Sequence, residues 1–284
     1  MIIFYLRVKY FLANKYTEDF IEISGFKLHY LTWGEKGLPI VILHSMGMDA
    51  HGFDIFSRSI SDQYRVLAIT ILGHGDSDKP SRLVGLEEHA TLIHDVFSKL
   101  GFTGNVLIGH SVGGMLGMIL AAKYPDDIKG LVLVDIAPFD RASMRGRGRP
   151  RPEVPDSFAN EDELITYLHN RYPKFTEEAY QNRVKYAFKK GPDGLIRFKG
   201  QGDTIRSSLE TDLWPYIEQI KTPTLLLIAG EGFIVTKSVC ERMQSLIPQF
   251  DTKTITGATH MIPQDKPAEF EGTVRAFLSK IFDS

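Results

Sequence analysis

The chain has 284 residues, 43% of them apolar and 24% charged, with a formal charge of −2. This is the balance of an ordinary globular protein long enough for one large α/β domain, or for a domain carrying an insert. The near-neutral charge gives no reason to expect nucleic acid or an anionic membrane as partner, and the single Cys240 cannot close an internal disulfide, which fits a cytoplasmic location.

The chain opens with "MIIFYLRVKYFLANKY". Arg7, Lys9 and Lys15 break its apolar run well short of the ~20 residues a membrane span needs. They also fall inside that run rather than ahead of it, unlike the charges of a signal peptide. Residues 1–18 read as an N-terminal extension packed on the domain, with a weak membrane-surface or partner contact as the alternative. "FIEISG" and "FKLHYLTWG" then alternate apolar and polar residues around Ser24 and Gly25, which predicts a hairpin. "PIVILH", "YRVLAIT", "NVLIG", "GLVLVD" and "TPTLLLIAG" are continuous apolar runs, as in strands buried on both faces. Helical patterns at 86–100, 113–123, 237–246 and 267–282 fall between or after them. Such alternation predicts a mainly parallel sheet covered by helices.

The alternation stops over residues 138–221. That stretch begins with the basic "DRASMRGRGRPRPEVP" and turns helical at 161–171 and 176–189. It reads as a helical cap inserted into a core made of residues 19–137 and 222–284, above the sheet edge where α/β ligand sites form. Arg141, Arg145, Arg147, Arg149 and Arg151 are interleaved with Gly and Pro, and read as a solvated linker more readily than as an anion site. Phe158, Tyr167, Tyr172, Phe175, Tyr180 and Trp214 would suit an apolar acyl or alcohol pocket, although such spacings usually mean helix packing.

One motif carries chemistry. "VLIGHSVGGM" places Ser111 between Gly109 and Gly113, after a strand pattern and before a helical one. In that context G-x-S-x-G is a sharp strand-to-helix turn in which small neighbours make room for an exposed nucleophile. A serine attacks only when a base takes its proton. "ITGATHMIPQDKP" supplies His260 in a loop before the last helix, where nothing else accounts for a histidine. His29 and His169 lie in ordinary strand and helix patterns, and His89 and His94 share a helix. No pair has convincing metal-ligand spacing, so no metal or cofactor is expected.

With "GHSVGG" and "GATHMIPQDKP" joined by "VILHSMG", "GHGDSDKP" and "PTLLLIAGE" in order, the chain resembles the α/β-hydrolase superfamily over roughly residues 20–282. The resemblance implies an α/β-hydrolase fold with a helical cap. It also implies Ser111 as nucleophile, His260 as general base and then acid, and an oxyanion hole made by the backbone N–H groups of Met46 and Val112. Three departures stand out. His44-Ser45 replaces the family's usual His-Gly. Thr70 and Leu72 stand where an Asp and an Arg are common. Phe233 occupies the place of the usual acid. That leaves Asp135, at the end of "GLVLVD", and Glu231 as candidates to orient His260, with Asp135 favoured because some relatives take their acid from that strand end.

The implied reaction is cleavage of a small-molecule carboxylic ester through an acyl-enzyme. Lactonase, thioesterase, amidase and carbon–carbon bond hydrolase activities remain open on the same machinery. Dehalogenase and ordinary epoxide hydrolase chemistry is disfavoured, because those relatives use an aspartate where Ser111 stands. A hydrolase-fold protein that binds a ligand with little turnover is the alternative from a different class. Substrate and oligomeric state are beyond the sequence.

Overall fold

The computed structural model describes residues 16–138, 155–200, 205 and 211–282. Tyr16–Ile23 (β1) and Phe26–Trp33 (β2) pair antiparallel across a two-residue turn. Ser24 and Gly25 both have positive φ, 51° and 81°, as in the type I′ turns whose twist suits a tight hairpin. Tyr16–Glu18, expected to belong to an extension, are instead the first residues of β1 and pair with Leu31–Trp33; residues 1–15 lie outside the described residues.

The remaining strands are Leu38–Leu43 (β3), Tyr64–Ile69 (β4), Asn105–His110 (β5), Ile128–Val134 (β6), Phe188–Lys190 (β7), Ile196–Phe198 (β8), Thr224–Ala229 (β9) and Phe250–Ile255 (β10). Eight of them form one sheet in the order β1-β2-β4-β3-β5-β6-β9-β10, antiparallel at β1–β2 and β2–β4 and parallel elsewhere. The helices are Asp54–Ile60 (α1), Leu86–Lys99 (α2), Val112–Lys123 (α3), Glu161–Arg171 (α4), Glu177–Ala187 (α5), Trp214–Ile217 (α6), Lys237–Leu246 (α7), Ile262–Asp265 (α8) and Pro267–Phe282 (α9), with a short 3₁₀ turn at Ala50–Phe53. This is the α/β-hydrolase fold.

Alternation along the central strands divides the core in two. Val41, Leu43, Leu107, Leu131 and Leu133 face α2 and α3 on one side, with Ala90, Ile93, Leu116 and Ile119 among their neighbours. Ile40, Ile42, Val106, Ile108, Val132 and Val134 face α1 and α9 on the other, against Phe56, Phe270 and Val274. Both faces are covered, so the strands read as unbroken apolar runs. α3 is buried along residues 112–121, as befits a helix apolar all round.

The chain runs from β3 to β4 on one side of β3 and returns at β5 on the other. A ligand crevice is expected outside the carboxyl ends of strands at such a switch point. The loop after β3 and the turn after β5, which carries Ser111, both lie there.

Between β6 and β9, α4 and α5 appear as expected, but α5 ends at Ala187 rather than 189. Phe188–Lys190 instead pairs antiparallel with Ile196–Phe198. Gly194, at φ 83°, lies in the intervening turn. The sequence reading missed this hairpin. The segment has a small core of its own, Phe158, Leu164, Leu168, Ala187 and Phe188, with Tyr167, Tyr172 and Tyr180 against it. A second cluster joins Phe175 and Ala179 of the segment to Met48 and Met261. Leu213, Trp214, Ile217 and Ile220, expected to lie in the cap that runs to residue 221, pack instead into the main core. The five arginines at 141–151 lie outside the described residues.

Candidate active site

The turn at Ser111 is built from what glycine lacks. A Cβ on Gly109 would lie 2.4 Å from the carbonyl oxygen of Gly113, and one on Gly113 would lie 2.3 Å from that of Leu43. A Cβ on Gly114 would meet Ile136 at 2.3 Å. Strand β5, helix α3, the end of β3 and the residue after Asp135 therefore touch through backbone that only glycine permits. Ser111 itself sits at φ 53°, ψ −117°, a sparsely populated conformation that costs of order 1–3 kcal/mol and tends to mark functional sites. Its N–H donates to Val134 O, and its carbonyl caps α3 by accepting from Gly114 and Met115. Val112 opens the helix, so its N–H is among the donors that an α-helix leaves without an internal partner.

Asp135 directly follows β6, at φ 44°, and is fully buried. One carboxylate oxygen, Oδ1, accepts from the N–H of Ala229 at 2.9 Å; the other, Oδ2, lies 2.8 Å from His260 Nδ1. The carboxylate accepts, so Nδ1 carries the proton and the Nε2 of the neutral ring presents a lone pair. The His260 side chain is 29% exposed. Its loop is pinned from two sides. His110 Nε2 donates to the His260 carbonyl at 2.8 Å, with the two rings 4.8 Å apart. Asp265 accepts from both the N–H and the hydroxyl of Thr259. His110 immediately precedes Ser111, so the loop that carries His260 is tied to the residue before the serine.

Glu231 goes elsewhere. Its carboxylate is half exposed and pairs with Lys174 at 2.5 Å, while its N–H donates to Ala258 O. Phe233, at the place of the family's usual acid, is 64% exposed.

The loop after β3 is held by buried imidazole. His44 Nε2 accepts from the N–H of Ile71 at 2.9 Å, and its Nδ1 donates to Ser45 O at 2.8 Å, a fully defined neutral tautomer. Burial holds His44 and His110 well below the ordinary histidine range and pushes His74 down to about 4, so all three stay uncharged at neutral pH. Ser45, the departure from His-Gly, is buried with its hydroxyl unpaired. Met46 is half-buried against the core cluster that contains Val112 and Ile136. Arg183 on α5 donates to Gly47 O at 2.5 Å, is buried, and lies over the rings of Phe188 and Phe198. Thr70 accepts from the N–H of Ala50 and bonds His29, while Leu72 is buried in the core.

His44, His110 and Arg183 are supports the sequence reading did not single out. A signal existed for Arg183: with Ala179 and Ala187 it forms an i, i+4, i+8 stripe, which is the buried face of α5. Phe158, Tyr167, Tyr172, Phe175 and Tyr180 pack mainly on one another and on Phe188.

Comparison with known proteins adds a family. A family model described as the alpha/beta hydrolase fold matches residues 39–267. Epoxide hydrolase 4 of Mus musculus is 26% identical over 92% of this chain and 78% of its own length. Lipase 1 of Psychrobacter immobilis is 27% identical over 90% of this chain and 82% of its own. The 2-(acetamidomethylene)succinate hydrolase of Mesorhizobium japonicum is 24% identical over 82% of this chain and 86% of its own. A crystal structure of E-2-(acetamidomethylene)succinate hydrolase superposes with a TM-score of 0.83 at 22% identity, covering 93% of this chain and all of that one.

Proposed function

Since the chain belongs to the alpha/beta hydrolase fold family and is a hydrolase, we propose that it cleaves a small-molecule carboxylic ester through an acyl-enzyme on Ser111. The observation that carries this reading is the buried Asp135 carboxylate, 2.8 Å from Nδ1 of a histidine whose loop is bonded to the residue before Ser111. His260 Nε2 takes the proton of Ser111 as Oγ attacks the carbonyl carbon. Asp135 stabilises the imidazolium that forms and keeps the ring in its productive tautomer. The backbone N–H groups of Val112 and Met46 receive the charge that develops on the carbonyl oxygen, and losing one such donor typically costs ~10²–10³ in rate. The imidazolium then protonates the departing alkoxide. A water deprotonated by His260 attacks the acyl-enzyme, which releases the acid and regenerates Ser111.

The stretch from Leu213 to Ile220 belongs with the main core, and residues 155–200 act as the cap. Phe175 and Ala179 from that segment pack on Met48, in the loop after Met46, and on Met261, the neighbour of His260. Glu231, engaged with Lys174, serves the surface and not the triad.

Relatives named as epoxide hydrolases make the substrate panel the decisive test. The wild-type chain is expected to turn over p-nitrophenyl acetate and butyrate with a burst of p-nitrophenol, and to leave styrene oxide untouched. Opening of the epoxide without ester turnover would overturn the reading. Absence of both activities would favour the ligand-binding alternative.

A further inference from the structure

A cluster of three side chains outside this machinery has the composition of a metal centre. Glu18 on β1 and His29 on β2 are diagonal neighbours on one face of the hairpin, because Glu18 pairs with Leu31 and Phe20 with His29. His51 reaches the same point from the 3₁₀ turn at Ala50–Phe53. His29 Nε2 lies 3.0 Å, and His51 Nε2 4.0 Å, from the same Oε1 of Glu18. The three donor atoms all fall within 4.8 Å of one another, the only such group of three among the described residues. Ligands about 2.0–2.2 Å from a tetrahedral zinc ion stand about 3.4 Å apart, so the two measured distances straddle the required spacing.

Chemistry sharpens the geometry. His51 Nδ1 is 3.0 Å from Asp54 Oδ2. The carboxylate accepts, which fixes the proton on Nδ1 and turns the lone pair of Nε2 toward Glu18. His51 Nε2 and Glu18 Oε1, 4.0 Å apart, make no direct hydrogen bond and leave a gap that an ion could bridge. Asp54–His51 is the carboxylate–histidine pairing that orients metal ligands. His29 Nδ1 accepts from the Thr70 hydroxyl at 2.8 Å, and its Nε2–H donates to Glu18 Oε1 at 3.0 Å, so a metal ion at this point would take the place of that ring proton. Both imidazoles are buried and Glu18 is about half exposed, so the cluster meets solvent at its carboxylate. Tyr186 of α5 stacks on His51 with the rings 3.5 Å apart, and its hydroxyl meets that of Tyr16.

We propose that Glu18, His29 and His51 bind one divalent transition-metal ion, with Zn²⁺ the expected occupant. Two imidazoles and a carboxylate suit borderline metals and not Mg²⁺. The ion would tie the edge hairpin to the loop after β3 and, through Tyr186, to α5. The site is independent of the reaction assigned to Ser111.

The test uses the full chain stripped with a chelator and titrated calorimetrically with Zn²⁺, with Mg²⁺ as control and Co²⁺ as a spectroscopic probe. One equivalent of Zn²⁺ should bind to the wild type and to His260→Ala, and should raise Tm in a concentration-dependent way. Mg²⁺ should do neither. Affinity should fall at least tenfold in Glu18→Gln and about 10- to 100-fold in Asp54→Asn, and binding should vanish in His51→Ala. Glu18 is exposed enough that its variant folds even if His51→Ala does not. Absence of saturable Zn²⁺ binding, or unchanged binding in a folded Glu18→Gln, would overturn the proposal; a proton shared by the three groups would then be the occupant.

Discussion

Asp135→Asn is expected to lower kcat on p-nitrophenyl butyrate by about 10³–10⁴-fold, while Glu231→Gln stays within about twofold of wild type. The reason is the direction of two hydrogen bonds. Ala229 N–H donates to Oδ1 of residue 135 and therefore demands an acceptor there. An asparagine satisfies it with its carbonyl and must then turn its amide NH₂ toward His260 Nδ1. That nitrogen can accept only if the ring proton moves to Nε2, and a ring protonated at Nε2 cannot take the proton of Ser111. The buried site stays hydrogen-bonded, so Tm falls little and the loss is one of tautomer. Glu231→Gln removes an exposed pair with Lys174, and such pairs are worth about 0–1 kcal/mol. The reverse ranking of the two variants would move the orienting role to Glu231.

The second large effect is at the nucleophile. Ser111→Ala should lose about 10⁴-fold or more in kcat/KM, since a member of a unit that acts together costs nearly as much as the whole unit. Ser111→Gly should be equally inactive but more stable than Ser111→Ala by about 1 kcal/mol, because φ 53° strains any side chain and glycine is free of that cost. Thermal melts of the two inactive proteins separate the terms. Equal melting temperatures would mean that the turn is not strained, and undiminished ester turnover in Ser111→Ala would mean that the serine is not the nucleophile.

Most of the fold was legible because its cause is local. The central strands announce themselves as unbroken apolar runs, since helices cover both faces of the sheet, and the G-x-S-x-G spacing reflects contacts now visible at Gly109 and Gly113. What was not legible depends on partners distant in the chain. Three-residue strands such as β7 carry too few residues to show a period of two, and Phe188 and Lys189 also fit the helical pattern before them. The "GPDG" at 191–194 was the remaining signal, a turn between two short runs. The carboxylates of Asp135 and Glu231 differ in what the fold brings to each, and His260 is 125 residues from Asp135. No spacing rule spans that interval. The same holds for His29 and His51, whose residue interval suggests no shared site until hairpin and loop are brought together.

The central claim is that Ser111 is an activated nucleophile, and a fluorophosphonate probe tests it without a guess about substrate. The wild-type protein should be labelled stoichiometrically, with the adduct mapped by mass spectrometry to the peptide containing Ser111, and His260→Ala should label far more slowly while remaining folded. A folded wild type that takes no label, or takes it on a residue other than Ser111, would contradict the account.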